Sequence, residues 1–476
     1  MSTKQGVAIT AIGNALPPAA MLVTQILLAK SLGVSGRGEV AAATAPLMFA
    51  VALLTLGLPE ALTYFVARGG AGRISRQLGV SLVALAISGS IGTWLIVLFA
   101  QPLSAGSNQL AGLMTIASAA LVPALLTGAL RGVAYGAQSW WLVMAERTLS
   151  ALLQLVTVGG LFAVGSLTPM TATLTIAATT FAGAVVYLVT PRWWAALHGS
   201  NNSSGSPHSI PRVASYAWRI WLGSIAGIIL MRLDQVMMTP LAGVEELGIY
   251  VVAVNVSNVA LLFNSAVSQV MFAVESGEPS ATRVGRAARI TTLVTALVGG
   301  VLAAASPWMV PILFGPEFSP AVPVLVVLLL TYSLAIPGSV AGAALSARGH
   351  PGIRSLGTAI SAAFYVVAMF VLVPKYGALG AAFAMFAGTV VPGYLNIYLL
   401  HRYCGVPLAE FYRFRAFDLN MFRAPAWVLR QRRSKRGGRQ RATATPSPNP
   451  GEPTLFPDYQ GPEGGSVKVA RDDEQA

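Results

Sequence analysis

Gln77-Leu-Gly-Val-Ser-Leu-Val-Ala-Leu-Ala-Ile-Ser-Gly-Ser-Ile-Gly-Thr-Trp-Leu-Ile-Val-Leu-Phe-Ala100 contains no charged residue, and the chain just ahead of it carries Arg68, Arg73 and Arg76. About 20 apolar residues in a helix cross the ~30 Å of hydrocarbon in a bilayer. An arginine cluster at one end of such a stretch fixes which end stays in the cytoplasm. Working outward, the pattern repeats along the chain. Of the 476 residues, 55% are hydrophobic and only 10% are charged, too apolar for a water-facing surface.

Between Val7 and Leu400 the sequence divides into twelve apolar stretches: 7–32, 40–66, 77–100, 109–130, 143–165, 170–190, 214–238, 247–272, 290–309, 321–346, 355–373 and 378–400. The expected fold is therefore an all-α polytopic membrane protein. Connections after even-numbered spans hold eleven arginines: Arg68, Arg73, Arg76, Arg131, Arg192, Arg212, Arg283, Arg286, Arg289, Arg348 and Arg354. Connections after odd-numbered spans hold only Arg37 and Lys375. The arginine-rich side is expected to be cytoplasmic, with both termini inside a multi-pass cell membrane protein. The first span follows only Met-Ser-Thr-Lys-Gln-Gly and runs at once into a second, which reads as a retained helix and not a cleaved signal peptide.

The formal charge of +14 is largely a consequence of this topology and gives no reason to invoke nucleic acid. Arg430-Gln-Arg-Arg-Ser-Lys-Arg-Gly-Gly-Arg-Gln-Arg441 reads as a basic juxtamembrane stretch at an anionic lipid surface. Ahead of it, aromatics alternate with arginine between Pro407 and Leu429, the pattern of an interfacial helix. Cys404 is the sole cysteine, and His198, His208, His350 and His401 share no ligand spacing, so neither a disulfide framework nor a metal site nor any other cofactor is expected. The sequons at Asn201-Asn202-Ser203-Ser204 fall on the cytoplasmic side and read as linker.

That linker divides six spans from six. The expected organisation is an N-terminal lobe 1–190, a cytoplasmic linker 191–213, a C-terminal lobe 214–401, a basic segment 402–441 and a disordered tail 442–476. Sliding the sequence by 210 residues lays Gln25 on Gln235 and Gly38 on Gly248, a weak echo of a parallel repeat.

Leu313-Phe-Gly-Pro-Glu-Phe-Ser-Pro-Ala-Val-Pro323, Pro374-Lys-Tyr-Gly-Ala-Leu-Gly-Ala-Ala-Phe-Ala384 and Arg232-Leu-Asp-Gln235 followed by Leu247-Gly-Ile-Tyr250 resemble the polysaccharide-transporter (Wzx-like) branch of the multidrug/oligosaccharidyl-lipid/polysaccharide exporter superfamily. Gly33-Val-Ser-Gly-Arg-Gly-Glu39, Gly57-Leu-Pro-Glu60 and Gly128-Ala-Leu-Arg-Gly132 add to the resemblance, which covers residues 1 to 401 but not the tail. It implies two six-helix lobes and an alternating-access flippase that moves a lipid-linked oligosaccharide, typically on a polyprenyl pyrophosphate, for cell-surface polysaccharide biosynthesis. The implied partners are that lipid-linked glycan, membrane lipids, a polysaccharide polymerase, glycosyltransferases and a coupling cation, H+ or Na+.

Such cargo needs a polar, cationic path, because glycan and pyrophosphate lose their hydration in hydrocarbon. Charges within spans are the natural candidates. Arg131, Arg219 and Arg232 are the candidate phosphate-binding groups, Asp234 and Glu60 the candidate ion-coupling carboxylates, and Glu146 and Arg147 further candidates. On a helix, Arg219 and Asp234 point within roughly 60° of each other and lie about 22 Å apart, so they could line one wall at two depths. Arg232 and Asp234 differ by about 200° and cannot share a face. Three alternatives remain: a cation-coupled multidrug antiporter, which would want more acidic groups; a lipid II flippase, which only substrate assays separate; and a glycan polymerase or ligase. That enzyme would need outer-side catalytic groups, and the short outer connections carry no histidine.

Overall fold

In hydrocarbon every backbone N–H and C=O must find its partner inside its own segment, so apolar stretches of this length become helices. The computed structural model describes residues 3–69, 75–190, 210–277 and 280–413, and among them there is no strand. Most of the expected linker 191–213, with Arg192, His198, His208 and the sequons, lies outside the described residues; so do Arg73, residues 414–429, the basic run Arg430–Arg441 and the tail 442–476.

The helices are α1 (Thr3–Leu53), α2 (Leu58–Gly69), α3 (Ser75–Leu103), α4 (Asn108–Ser118), α5 (Leu121–Gly136), α6 (Trp140–Ala163), α7 (Pro169–Ala182) and α8 (Val185–Leu188) in the first half. The second half contains α9 (Ile210–Ala242), α10 (Val244–Gly277), α11 (Ala281–Phe314), α12 (Ala321–Ala347), α13 (Pro351–Cys404) and α14 (Ala409–Tyr412). Ten of the described helical stretches are long and apolar enough to cross a membrane, against twelve expected spans. The difference has a local cause. The 51-residue α1 and the 54-residue α13 each contain one non-helical glycine, Gly33 (φ 66°, ψ −170°) and Gly377 (φ 53°, ψ −131°), which fall in the expected gaps between spans 1 and 2 and between spans 11 and 12. Positive φ of this kind is cheap only for glycine.

An acidic side chain lies against each turn. Glu246 at the start of α10 accepts a hydrogen bond from the Ala378 N–H just after the Gly377 turn, at 2.6 Å. A Cβ on Gly33 would lie 3.2 Å from the Glu317 carboxylate, on the short turn between α11 and α12. The same end of the molecule brings the two halves into main-chain contact. A Cβ on Gly38 would strike the Val244 carbonyl, and one on Gly248 would strike the Val34 carbonyl. Residues 34 and 38 thus meet 248 and 244, a reciprocal contact of the kind a two-fold axis generates, at the same 210-residue offset seen in the sequence.

The exterior is apolar, with Trp94, Val156, Trp308 and Ile312 each more than 60% exposed, as bilayer-facing surface should be. Inside, small residues line the helix contacts, among them Ala41, Ala42, Ala43, Ala61, Ala129 and Ala134. Buried hydroxyls such as Thr24, Thr44 and Thr179 donate to carbonyls four residues back and so add little polarity.

Two expectations change here. Arg289, grouped with the loop arginines, is 1% exposed and donates to the Glu410 carbonyl and carboxylate. Phe411, expected on an interfacial helix, is buried with Val284, Ile336, Val340 and Leu400, so its side chain packs onto the protein. The cause is the left-handed cap at Gly405, which ends α13 and turns the chain back.

Candidate functional site

A cavity of about 550 Å³ opens between the two halves. Its walls come from α1, α5, α6, α7, α9 and α10, and they carry four arginines, Arg37, Arg131, Arg147 and Arg232, against a single carboxylate, Glu146. That carboxylate is already engaged. Arg131 donates through Nε and Nη2 to both Glu146 oxygens at 2.9 and 2.8 Å, a forked ion pair, and the Tyr187 hydroxyl lies 3.5 Å from Oε2. Glu146 is 2% exposed. Close approach of α7 to α6 at this level depends on Gly183, whose Cβ would meet the Glu146 carbonyl.

Arg37 is the unusual member. It is 4% exposed, its one hydrogen bond runs from Nη2 to the neutral Gln25 side chain at 2.5 Å, and its Nε has no partner. A buried cation without an anion is expensive. Ser150 Oγ and Asn255 Nδ2 on the same walls are also buried without partners. All three unsatisfied atoms can donate a hydrogen bond.

The arginines form two tiers. Arg37 is four residues beyond the Gly33 turn, and Arg131 is five residues from the far end of α5, so each is about 6–8 Å from its own end of the helix bundle. Gln25 and Gln235, paired by the 210-residue offset, both line the cavity near the upper tier.

The family model described as "Polysaccharide biosynthesis protein" matches residues 3–274. The chain belongs to this family. No curated protein sequence matches it significantly. Among solved structures, a lipid II flippase MurJ in an inward closed conformation aligns with TM-score 0.68 at 14% identity, covering 87% of this chain and 91% of that one. An inward-facing multidrug resistance MATE family transporter of the MOP superfamily aligns with TM-score 0.66 at 14% identity, covering 85% and 99%. A MOP superfamily transporter from Pyrococcus furiosus aligns with TM-score 0.52 at 16% identity, covering 81% and 95%. At these identities the likeness is one of fold, and it gives this family member the helical architecture of a membrane transporter.

Within that fold the sequence candidates separate. Arg131, Arg147, Glu146 and Arg232 meet in the central cavity. Arg219 does not; it lines a second cavity with Arg68 and Arg212. Asp234 is 2% exposed and lines neither cavity: the Tyr250 hydroxyl donates to Oδ2 at 2.6 Å and the Gln235 N–H to Oδ1 at 2.8 Å. Arg219 and Asp234 therefore do not share a cavity wall, because α9 turns Asp234 into the packed core beside Tyr250. Arg232 and Asp234 do face apart. Glu60 is exposed in the first turn of α2, outside both cavities. The described residues contain no group of three or more potential metal ligands.

Arg37 was missed because it was read as an outer-loop charge. One signal pointed to it: an arginine on the basic-poor side is not explained by topology and needs another reason to be there.

Proposed function

We propose that this protein is a flippase for a lipid-linked oligosaccharide, carried on a polyprenyl pyrophosphate, that crosses the cytoplasmic membrane by alternating access during cell-surface polysaccharide biosynthesis. The observation that carries the reading is the buried Arg37, held only by Gln25, in a cavity with four arginines and one already-paired carboxylate. Such a wall attracts a phosphate-bearing headgroup and repels a cationic drug, which weighs against the multidrug antiporter. A volume of about 550 Å³ is within the range of small-molecule sites and accommodates a headgroup and its first sugars, with the isoprenoid left in lipid.

In this reading the polypeptide makes twelve crossings in two six-helix lobes, divided at Gly33 and Gly377 as well as at the linker, with both termini cytoplasmic. Arg37, Arg131, Arg147 and Arg232 bind the diphosphate, and Glu146 orients Arg131. Asp234, held by Tyr250, is the carboxylate assigned to H+ or Na+ coupling, with Glu60 as a peripheral second. Polymerase and glycosyltransferases supply and consume the glycan, and the chain itself catalyses no bond change.

The test is headgroup translocation by the purified protein in proteoliposomes. Arg37→Gln is expected to lower the rate at least tenfold with unchanged membrane insertion, about 1.4 kcal/mol of lost stabilisation. A wild-type rate in that variant would overturn the reading. Lipid II offered beside other lipid-linked glycans in the same assay separates the lipid II flippase from the polysaccharide flippase.

A further inference from the structure

The second cavity, about 580 Å³, lies between the last turns of α2 and the first turns of α9. Its chemistry differs from the central one. Among the described residues, Arg68, Arg212 and Arg219 line it with no acidic residue. Its floor is aromatic: the Tyr64 and Tyr216 rings stack at 4.4 Å, and the Arg68 guanidinium lies 4.5 Å from the Tyr64 centroid. One tyrosine of the stack belongs to each half of the protein, and so do the arginines.

The cavity also neighbours a break in the α1–α2 rod. Leu56 (φ 51°) and Gly57 (φ 68°) interrupt the helix and release the carbonyls of Leu53 and Leu54. Trp221 Nε1 of α9 donates to Leu53 O at 2.5 Å, and Ser88 Oγ of α3 donates to Leu54 O at 2.9 Å. A Cβ on Gly57 would strike the Ala217 carbonyl. The break is therefore bolted to α9 within a few residues of Arg212 and Arg219.

We infer that this second cavity is a binding site for an isoprenyl pyrophosphate headgroup, separate from the central cavity, that couples α2 to α9 when filled. The charge count favours this occupant. A phosphodiester of an ordinary phospholipid carries one negative charge and satisfies one guanidinium fork, whereas a pyrophosphate offers two phosphoryl groups to three forks. The exposed arginines leave the site open at its rim, so an attached tail can remain in lipid. The choice of ligand rests on the transport reading above; the existence of an anion site does not.

The experiment uses the full chain in nanodiscs of phosphatidylcholine, with radiolabelled farnesyl pyrophosphate as probe and inorganic pyrophosphate or phosphatidylglycerol as competitor. The wild type is expected to show two sites. Arg68→Gln/Arg212→Gln/Arg219→Gln should lose one of them, with affinity reduced at least tenfold, while the corresponding triple lysine variant restores part of it and controls for folding. Arg37→Gln should keep that same site and lose the other. A triple glutamine variant that retains both sites overturns the inference. Displacement by phosphatidylglycerol as effective as by pyrophosphate overturns the choice of ligand in favour of bulk anionic lipid. An Arg37→Gln variant that keeps both sites, with the triple variant losing one, would remove the central-cavity reading and leave this site standing.

Discussion

The two cavities are almost equal in volume and both are cationic, yet only one of them buries part of its charge. In the central cavity a buried core of charge carries the wall: Glu146 and Arg37 are nearly inaccessible and Arg131 is locked in a fork, while Arg147 and Arg232 are exposed. In the α2/α9 cavity the three arginines remain exposed, and Arg68 rests on the Tyr64 ring. A buried charge acts in low dielectric and is felt strongly, whereas an exposed one is screened by water and salt. On the proposals above, the central cavity would hold its ligand and the α2/α9 cavity would capture it.

The sharpest way to break this contrast is to remove the one central carboxylate. Glu146→Ala leaves Arg131 half-sunk without its partner. Losing one member of a buried pair costs about 3–5 kcal/mol, and the 30% exposure of Arg131 argues for the lower end of that range. The expected result is a clear fall in the thermal midpoint of the purified protein, measured by scattering or intrinsic fluorescence, partly relieved in Glu146→Gln. A midpoint equal to wild type would mean that the cavity is wetter than its geometry implies.

A second test addresses the closed end of the central cavity. Gly38→Val places a branched side chain against the Val244 carbonyl, where the halves meet through main chain. Overpacking of this kind costs about 1–3 kcal/mol, and on the alternating-access proposal the strain falls only on the conformation in which this end is shut. Accessibility of a cysteine introduced at Gln25 to a membrane-impermeant thiol reagent should rise in the variant. Gly248→Val, related through the 210-residue offset, should behave alike; a large difference between the two would break the two-fold description.

The residues behind these predictions were unequally legible in the sequence. The spans, the Gly33 and Gly377 turns and the Gly38/Gly248 correspondence follow from apolar length and glycine position, which are local properties. The arginine arithmetic assumes that topology is the only reason for a charge. It failed at Arg37 and Arg289, because counting by loop cannot distinguish a residue that stays in water from one drawn inward by Gln25 or by the returning Glu410. Helical angles correctly separated Arg232 from Asp234, yet could not say which of them faced the cavity, since that depends on how α9 packs against α10. Of the family-like segments, Leu247-Gly-Ile-Tyr250 turns out to place a glycine at the main-chain contact and a tyrosine on Asp234.

Asp234 gives a smaller effect and a cleaner question. Tyr250→Phe removes one hydrogen bond to a buried carboxylate, about 1.5–3 kcal/mol for a bond to a charged group and less if Asp234 takes a proton instead. If Asp234 couples transport to an ion, Asp234→Asn should abolish the pH or sodium dependence of flipping while Tyr250→Phe shifts it. Unaltered ion dependence in both variants would leave Asp234 as a packing element of the α9–α10 contact.

The smallest stability effect is expected in the outer cavity, where it is also the most informative. Arg219→Gln and Arg68→Gln remove exposed charges, and substitutions of that kind usually change stability by no more than about 0.5 kcal/mol. Their effect should appear in binding, and in how binding responds to salt. At 0.1 M ionic strength the Debye length is about 10 Å, and near 1 M it falls to about 3 Å. Pyrophosphate capture by solvent-facing guanidiniums should therefore weaken steeply across that range, whereas binding that depends on the enclosed Arg37 should change much less. Two salt slopes measured on one protein, the steeper abolished by the arginine substitutions at α2 and α9 and the shallower by Arg37→Gln, would establish the division of labour; a single common slope would mean that both sets of arginines share one aqueous space.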